Sequence, residues 1–189
     1  MALLKLPPLV DPHVHLRQPG ATHKEDFASG TAAALAGGFS CVLDMPNNTP
    51  PVTDAATPAA KQGAATSHAR CDYGLYLGAG SDNVETAASL APTVSGLKMY
   101  LDQTFGPLRL DDLETLVAHA ERWPADRPLL CHAEERTMAA AMLVAQLADR
   151  PIHICHVSRQ VEIELIRKAK ERGLQVTCEV TPHHLFLSQ

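Results

Sequence analysis

Two histidines near the start of the chain have the spacing of metal ligands. His13 and His15 occur in the segment Asp-Pro-His-Val-His, directly after an apolar run that ends at Val10. Side chains two positions apart on an extended segment point to the same face, so both imidazoles can reach one metal ion. Histidine pairs are often accidental, but this pair ends an apolar run, and further ligand-type residues follow later runs. We therefore interpret the segment as part of a metal site.

Each of the other ligand-type residues lies at or just beyond the carboxyl end of a later apolar run. They are Lys98, His132, Cys155, His156, Glu179, His183 and His184. A single histidine in such a run is more often a hydrogen-bonded core residue than a ligand. Because these residues recur at the ends of successive runs, the pattern favours one shared metal site.

Lys98 is unusual because it interrupts the apolar run 96–101. An unpaired ammonium is costly to bury. One interpretation is a lysine that extends to solvent, as lysines at strand ends commonly do. The other is a carbamylated lysine, in which carbon dioxide has converted the amine into an anionic carbamate that can bridge two metal ions.

Apolar runs alternate with helical segments along the whole chain. The predicted strands are residues 9–16, 39–45, 72–79, 96–101, 128–132, 151–156 and 174–180. The predicted helices are residues 24–36, 57–68, 110–122, 137–148 and 160–172. This alternation indicates a parallel sheet. Ligand-type residues at the carboxyl ends of the strands favour a (β/α)₈ TIM-type barrel, whose active sites lie at that face. Since only seven strands are predicted, we expect one domain, residues 1–189, whose barrel lacks its eighth strand.

Composition excludes several classes of function. The 189 residues are 46% hydrophobic and 20% charged, as in ordinary globular proteins. The net charge of −5 argues against a nucleic-acid partner. No apolar run approaches the roughly 20 residues that cross a membrane, and no secretory signal is visible. The cysteines are odd in number and widely spaced: Cys41, Cys71, Cys131, Cys155 and Cys178. We expect a cytoplasmic protein without disulfides.

Several ordered motifs resemble the cyclic amidohydrolase superfamily. They are Asp-Pro-His-Val-His-Leu-Arg from residue 11, Met45-Pro46-Asn47, Gly96-Leu97-Lys98, His132-Ala133-Glu134 and Cys155-His156-Val157-Ser158. Pro19-Gly20, the stretch 22–27 and the stretch 178–184 more specifically resemble dihydroorotase. The chain is similar to the dihydroorotase domains of animal multifunctional pyrimidine-synthesis polypeptides, and the resemblance covers essentially its whole length.

The resemblance implies two zinc ions held by five residues. His13 and His15 would bind the first ion. Carbamylated Lys98 would bridge to the second ion, which His132 and His156 would complete.

The resemblance also implies a third zinc and a set of substrate-binding residues. The third ion would draw on Cys155 and Glu179. Arg17 would bind the substrate carboxylate through its planar, two-pronged guanidinium, and Asn47 would add an amide donor. The ordinary alternatives are a surface salt bridge for Arg17 and a turn position for Asn47.

The implied activity is the zinc-dependent, reversible cyclisation of N-carbamoyl-L-aspartate to L-dihydroorotate in pyrimidine biosynthesis. Thr104 and Phe105 correspond to a loop that closes over the substrate in this family. Relatives are commonly homodimers, and the animal ones are fused to carbamoyl phosphate synthetase and aspartate transcarbamoylase. From the resemblance we expect that this chain also forms a homodimer and is fused to or associated with these two enzymes.

The sequence departs from the family at the proton-transfer residue. The family carries an aspartate in an Asp-His-Ala-Pro-His-like motif on the eighth strand, and neither Asp44 nor Asp102 matches it. We therefore identify no catalytic residue in the chain. Two alternatives remain: another cyclic amidohydrolase, such as a dihydropyrimidinase or allantoinase, and a non-catalytic structural relative. Arg17 and Asn47 argue against the first, because a neutral ring has no carboxylate to which these two residues could donate hydrogen bonds. The intact metal-type residues argue against the second.

Overall fold

The computed structural model describes residues 5–187, which form alternating strands and helices. The strands are β1 Leu9–Val14, β2 Phe39–Asp44, β3 Asp72–Gly78, β4 Gly96–Tyr100, β5 Leu129–His132, β6 Ile152–Ile154 and β7 Val176–Cys178. The helices are α1 Phe27–Ala36, α2 Ala56–His68, α3 Val84–Leu90, α4 Leu113–Arg122, α5 Glu135–Leu147, α6 Gln160–Glu171 and α7 Pro182–Phe186, with a 3₁₀ turn at Ala91–Thr93.

All seven strands form one parallel sheet in chain order, β1 to β7. Each strand pairs with the next, and the helices connect them as in a (β/α)₈ barrel. The sheet curls far enough for the side chain of His13, on β1, to contact Glu179, just after β7. The predicted barrel fold without an eighth strand is confirmed for the described part of the chain.

Two predicted helices begin later than expected because a capping residue sets each start. Asp26 precedes α1, and its carboxylate accepts a hydrogen bond from the Ser29 amide at 2.7 Å. Asp112 does the same for the Thr115 amide before α4, also at 2.7 Å. An aspartate at this position satisfies an amide that the helix itself cannot, so the helix begins at the following residue.

Helices α3 and α7 were not predicted from the sequence. Helix α3 contains one fully buried residue, Ala87, so it shows little hydrophobic periodicity. The region after β7 was predicted as a continuous strand to Val180, but β7 has three residues. Helix α7 follows directly because Pro182 occupies its first turn, where proline is favoured.

Strand β4 places alternate side chains on the two faces of the sheet. Leu97 and Met99 belong to the core formed with the helices, which also includes Met138 of α5. Lys98 and Tyr100 therefore point to the opposite face, inside the barrel, since strand side chains alternate with period two. All five residues of β4 are buried, so the predicted metal-bridging lysine lies in the barrel interior.

The structure bears on the predictions about disulfides and membrane spans. All five cysteines are free, as expected. Every helix in the region 5–187 is too short or too polar to traverse a bilayer.

Candidate metal and substrate site

The carboxyl ends of the strands bring four predicted histidine ligands together. The ring centroid of His13 lies 5.2 Å from that of His15 and 5.4 Å from that of His156. The His132 and His156 rings are 4.7 Å apart, and Nδ1 of His132 lies 2.9 Å from Nε2 of His156. The four imidazoles thus form one continuous cluster, although they lie on or just after three different strands, β1, β5 and β6.

Lys98 reaches this cluster from β4 and is fully buried. Its Nζ donates to Sγ of Cys155 at 2.7 Å, and the Tyr100 ring centroid lies 5.3 Å from the same Nζ. Burial raises the pKa of the Cys155 thiol to about 11, with the charge of Lys98 acting against the shift. The lysine is therefore held by a thiol and an aromatic ring and does not extend to solvent.

A second group of donor atoms lies beside the histidines. Nitrogen, sulfur and oxygen atoms of His13, Cys155 and Glu179 are within 4.8 Å of one another. Nδ1 of His13 contacts a carboxylate oxygen of Glu179 directly. Imidazole, thiolate and carboxylate are the ligand types that zinc prefers. The two residues predicted for a third ion therefore lie together, with His13 as an additional candidate that the sequence reasoning had not assigned to it.

The electrostatics favour the metal-binding form of the histidines in this cluster. Burial, reinforced by nearby positive groups such as Lys98, lowers the pKa of His15 and that of His156 to about 3. Both imidazoles are therefore neutral near pH 7, as ligation requires. Nε2 of His132 is buried and has no hydrogen-bond partner among the described residues. A buried nitrogen without a partner is costly unless a ligand satisfies it, so this donor set fits a bound metal.

Glu179 remains ionised despite its burial. Burial opposes the charged form, but hydrogen bonds with His13 and His153 outweigh it and hold the pKa of the carboxyl below its usual range. Nε2 of His153 lies 3.2 Å from Glu179, and Nδ1 of His153 lies 2.8 Å from the Thr177 hydroxyl. Sequence reasoning missed His153, although its two-residue spacing from Cys155 repeats the pattern of His13 and His15 and could have revealed it.

Arg17 lies close to the metal cluster although it is beyond the end of β1. Its two-residue spacing from His15 suggests the same strand face, but β1 ends at Val14 and Arg17 has a φ of 57°, in the left-handed region. The turn after the strand, and not strand alternation, therefore sets its position. The guanidinium is nevertheless near enough to lower the pKa of His15, after burial and His13. The buried Asn47 side chain acts in the opposite direction on the pKa of the same imidazole.

The loop after β4 lies over Arg17. The Phe105 ring centroid is 5.3 Å from Cζ of Arg17 and 5.4 Å from Nζ of Lys24. Phe105 remains 45% exposed, and Thr104 beside it is half-buried. The structure thus brings Phe105 to the predicted substrate-binding arginine, while Thr104 makes no side-chain hydrogen bond within residues 5–187.

His183 and His184 are not part of the cluster. They lie on α7, where their rings pack against each other with centroids 4.4 Å apart. Their hydrogen bonds go to Thr181.

The sequence of the chain is similar to those of known amidohydrolases. The Amidohydrolase family model matches residues 4–179. The chain is 55% identical over 187 residues to the multifunctional protein CAD of Squalus acanthias, covering 99% of this chain and 8% of that protein. It is 50% identical over 186 residues to the multifunctional protein pyr1-3 of Dictyostelium discoideum, covering 98% and 8%. A dihydroorotase of Methanothermobacter thermautotrophicus is 36% identical, with 96% of this chain and 47% of that protein covered.

Solved structures show the same fold. The inactive dihydroorotase-like domain of a Chaetomium thermophilum CAD-like multifunctional protein superposes with a TM-score of 0.87 at 28% identity, covering 97% of this chain and 54% of that one. L-Hydantoinase from Arthrobacter aurescens gives a TM-score of 0.89 at 20% identity, covering 96% and 48%, which is a similarity of fold alone. The chain thus spans 8% of the multifunctional relatives and about half of the single-function ones.

Proposed function

This chain belongs to the amidohydrolase family, and from that premise we propose that it carries the metal-binding and substrate-binding part of a dihydroorotase. The reaction is the reversible cyclisation of N-carbamoyl-L-aspartate to L-dihydroorotate in pyrimidine biosynthesis. The observation that carries the proposal is the clustering of four histidines and a buried lysine at the carboxyl ends of the strands, with Arg17 and Asn47 beside them.

In this proposal five residues hold two zinc ions. His13 and His15 would hold one ion, His132 and His156 would hold the other, and carbamylated Lys98 would serve both. A third ion would use Cys155 and Glu179. Bound zinc supplies Lewis acidity and lowers the pKa of a coordinated water toward neutrality.

Carbamylation explains why a lysine occupies this buried position. The ammonium of Lys98 is fully buried and has the Cys155 thiol as its hydrogen-bond partner. Such a charge is costly without a counter-ion. Conversion to a carbamate replaces the cation with an anion that two metal ions compensate, so the same burial becomes favourable.

The substrate-binding residues favour a ligand that has a free carboxylate. The guanidinium of Arg17 can donate two parallel hydrogen bonds to such a group, and Asn47 can add an amide donor. The ring of Phe105 lies over the guanidinium. Dihydropyrimidinases and hydantoinases act on rings without that carboxylate, so this pair supports dihydroorotate over their substrates.

We assign no proton-transfer residue to the chain. Asp44 is fully buried, and its carboxylate already contacts Lys61 and the Leu16 amide. Asp102 accepts hydrogen bonds from the Glu134 amide and the Thr137 hydroxyl. Neither carboxylate is free to move a proton to the ring nitrogen of the substrate.

A second candidate function is that of an inactive dihydroorotase-like domain, as in the Chaetomium thermophilum relative. The similarity of fold to that domain, with a TM-score of 0.87 at 28% identity, favours it. The complete cluster of metal-type side chains argues against it. For partners, we propose a homodimer in the cytoplasm and association with carbamoyl phosphate synthetase and aspartate transcarbamoylase activities, by analogy with the multifunctional relatives.

The test is to measure zinc content and dihydroorotate hydrolysis on the purified chain, beside a Lys98→Ala variant. Zinc with lysine-dependent turnover would support an active dihydroorotase. Zinc without turnover, but with dihydroorotate binding, would support a metal-binding and substrate-binding part that needs a further proton-transfer residue. A chain that folds yet binds neither zinc nor dihydroorotate would contradict the proposal and favour the structural relative.

A further inference from the structure

A fully buried ion pair lies behind the proposed substrate-binding residues. Asp44 is the last residue of β2, and Lys61 lies on α2. Oδ2 of Asp44 is 2.9 Å from Nζ of Lys61, and neither side chain is accessible to solvent. Removing two charges from water is costly, and a buried pair contributes little net stability by itself. The pair is therefore better explained by what its remaining hydrogen bonds hold in place.

Lys61 fixes the loop that carries Asn47. Its Nζ donates to the Met45 carbonyl at 2.6 Å and to Oδ1 of Asn48 at 2.7 Å. These acceptors lie on either side of Pro46 and Asn47 in the chain. One ammonium therefore anchors both ends of the short segment that presents the Asn47 amide.

Asp44 fixes the backbone that carries Arg17. Its Oδ1 accepts a hydrogen bond from the Leu16 amide at 2.9 Å. The next residue is Arg17, whose φ of 57° is sparsely populated by residues other than glycine and persists only when the surroundings hold it. The carboxylate therefore restrains the turn immediately before the guanidinium that we assign to the substrate.

The two loops are joined to each other as well as to the ion pair. Nδ2 of Asn48 donates to the Pro19 carbonyl at 3.1 Å. Gly20 approaches the Thr49 carbonyl so closely that a Cβ there would lie 2.1 Å from its oxygen. The loops after β1 and β2 thus form a single packed unit, with Asp44 and Lys61 beneath it.

We propose that Asp44 and Lys61 are positioning residues that hold Arg17 and Asn47 at the separation needed to bind one carboxylate together. The carboxylate ligand rests on the proposed function above. The dependence of the two loops on the ion pair does not, so the two statements can fail separately.

The decisive variant replaces the pair with apolar side chains of similar volume, Asp44→Leu/Lys61→Met. Such a replacement of a buried pair often leaves stability unchanged or raises it, so the fold is retained while the hydrogen bonds to the loops are lost. Asp44→Asn is the conservative variant, because it keeps an oxygen acceptor for the Leu16 amide. Arg150→Met is the matched control: Arg150 is a buried cation that binds main-chain carbonyls, including Ala120 and Trp123, far along the chain from these loops.

Three measurements on the zinc-loaded chain test the proposal. They are the dissociation constant of dihydroorotate by titration calorimetry, the KM and kcat where turnover is present, and amide hydrogen exchange of residues 14–20 and 45–49. In the double variant we expect binding and KM to weaken about tenfold or more, since a carboxylate bound by two donors depends on their spacing. Zinc content and kcat should change little, exchange should rise in these loops alone, and Asp44→Asn should recover part of the affinity.

The proposal would be overturned if the double variant had the same loop exchange and the same affinity for dihydroorotate as the wild-type chain. It would also be overturned by equal increases in exchange throughout the chain, or by a loss of affinity in Arg150→Met of the same size. A zinc-loaded wild-type chain that does not bind dihydroorotate would contradict the proposed function. The exchange measurement would then still decide whether Asp44 and Lys61 position Arg17 and Asn47.

Discussion

His13 on β1 and Glu179 just after β7 are in direct side-chain contact, although 166 positions separate them in the sequence. The contact joins the first and last strands of a sheet whose edges do not pair within residues 5–187. It also brings a carboxylate to the edge of the histidine cluster. The same contact therefore links the two edges of the curled sheet and brings together two of the donor residues of one candidate metal site.

Replacing Glu179 with glutamine should remove one metal site and leave the other. The amide keeps the shape of the side chain but cannot supply a carboxylate ligand to the group that includes Cys155. We expect bound zinc to fall by about one ion per chain, because loss of one ligand weakens a site strongly. Elemental analysis after dialysis measures this. Glu171→Gln, an exposed glutamate on α6, is the control, and equal zinc in both variants would contradict the assignment.

Lys98→Ala should disrupt the paired metal site. Loss of the bridging group should reduce zinc affinity at least about tenfold, a typical cost of disturbing a metal site. Native mass spectrometry of the wild-type chain should show the added mass of one carbon dioxide, which is lost in bicarbonate-free buffer. A small carboxylic acid should restore part of the zinc binding to the variant. Unchanged zinc content in Lys98→Ala would show that the lysine is not a ligand.

The metal-free chain should lose stability as the pH falls below neutrality. The pKa of His15 and that of His156 are about 3 in the folded chain, whereas an unfolded imidazole titrates near 6.5. Between these values the unfolded chain binds protons that the folded chain does not, so acid favours unfolding. We expect each of the two imidazoles to lower the free energy of unfolding by up to about 2 kcal/mol from pH 7 to pH 5.

Urea unfolding at a series of pH values, with a chelator present, measures this dependence. His15→Gln/His156→Gln should have a flatter profile, while His68→Gln, which alters an exposed histidine on α2, should follow the wild-type chain. A wild-type profile that is flat between pH 7 and pH 5 would show that these imidazoles are not held neutral.

Arg17→Met should weaken dihydroorotate binding without affecting zinc. A hydrogen bond to a charged group contributes about 1.5–3 kcal/mol, so we expect the dissociation constant to rise roughly tenfold to a hundredfold. Arg70→Met offers a control at a distant arginine. If the variant binds dihydroorotate as tightly as the wild-type chain does, the carboxylate is recognised elsewhere.

Phe105→Leu should have a smaller effect on the same measurement. The substitution keeps an apolar cover but removes the ring that faces the guanidinium of Arg17 and the ammonium of Lys24. A cation–π contact at an exposed position contributes about 0.5–1 kcal/mol, which predicts a twofold to fivefold loss of affinity. Lys24→Met tests the second cation alone and should change affinity less. A loss as large as that of Arg17→Met would instead indicate that Phe105 contacts the substrate.

Much of the site was predictable because it depends on local patterns. The two-residue spacing of His13 and His15 and the lysine within an apolar run both report which face of a strand a side chain occupies. Parallel strands align their carboxyl ends, so residues that end successive strands had to meet. The barrel fold followed from the alternation of strands and helices together with the ligand-type residues at the strand ends.

The features that were missed or misplaced depend on where the chain turns and how far the sheet curls. Arg17 lies beyond the end of β1, in a left-handed turn, so its position could not follow from strand periodicity. Lys61 is one of several polar residues in α2, and nothing in its spacing distinguishes it. Only the tertiary structure showed that it meets Asp44.

By itself the sequence determined the fold class, the metal-type donor set and the family, because periodicity, capping and motif spacing are properties of neighbouring residues. Tertiary structure alone decided that Glu179 meets His13, that Asp44 meets Lys61, and that Phe105 lies over Arg17. Each of these contacts joins segments that no local rule relates. Their distances are set by the curvature of the sheet and the packing of loops, to which residues throughout the chain contribute.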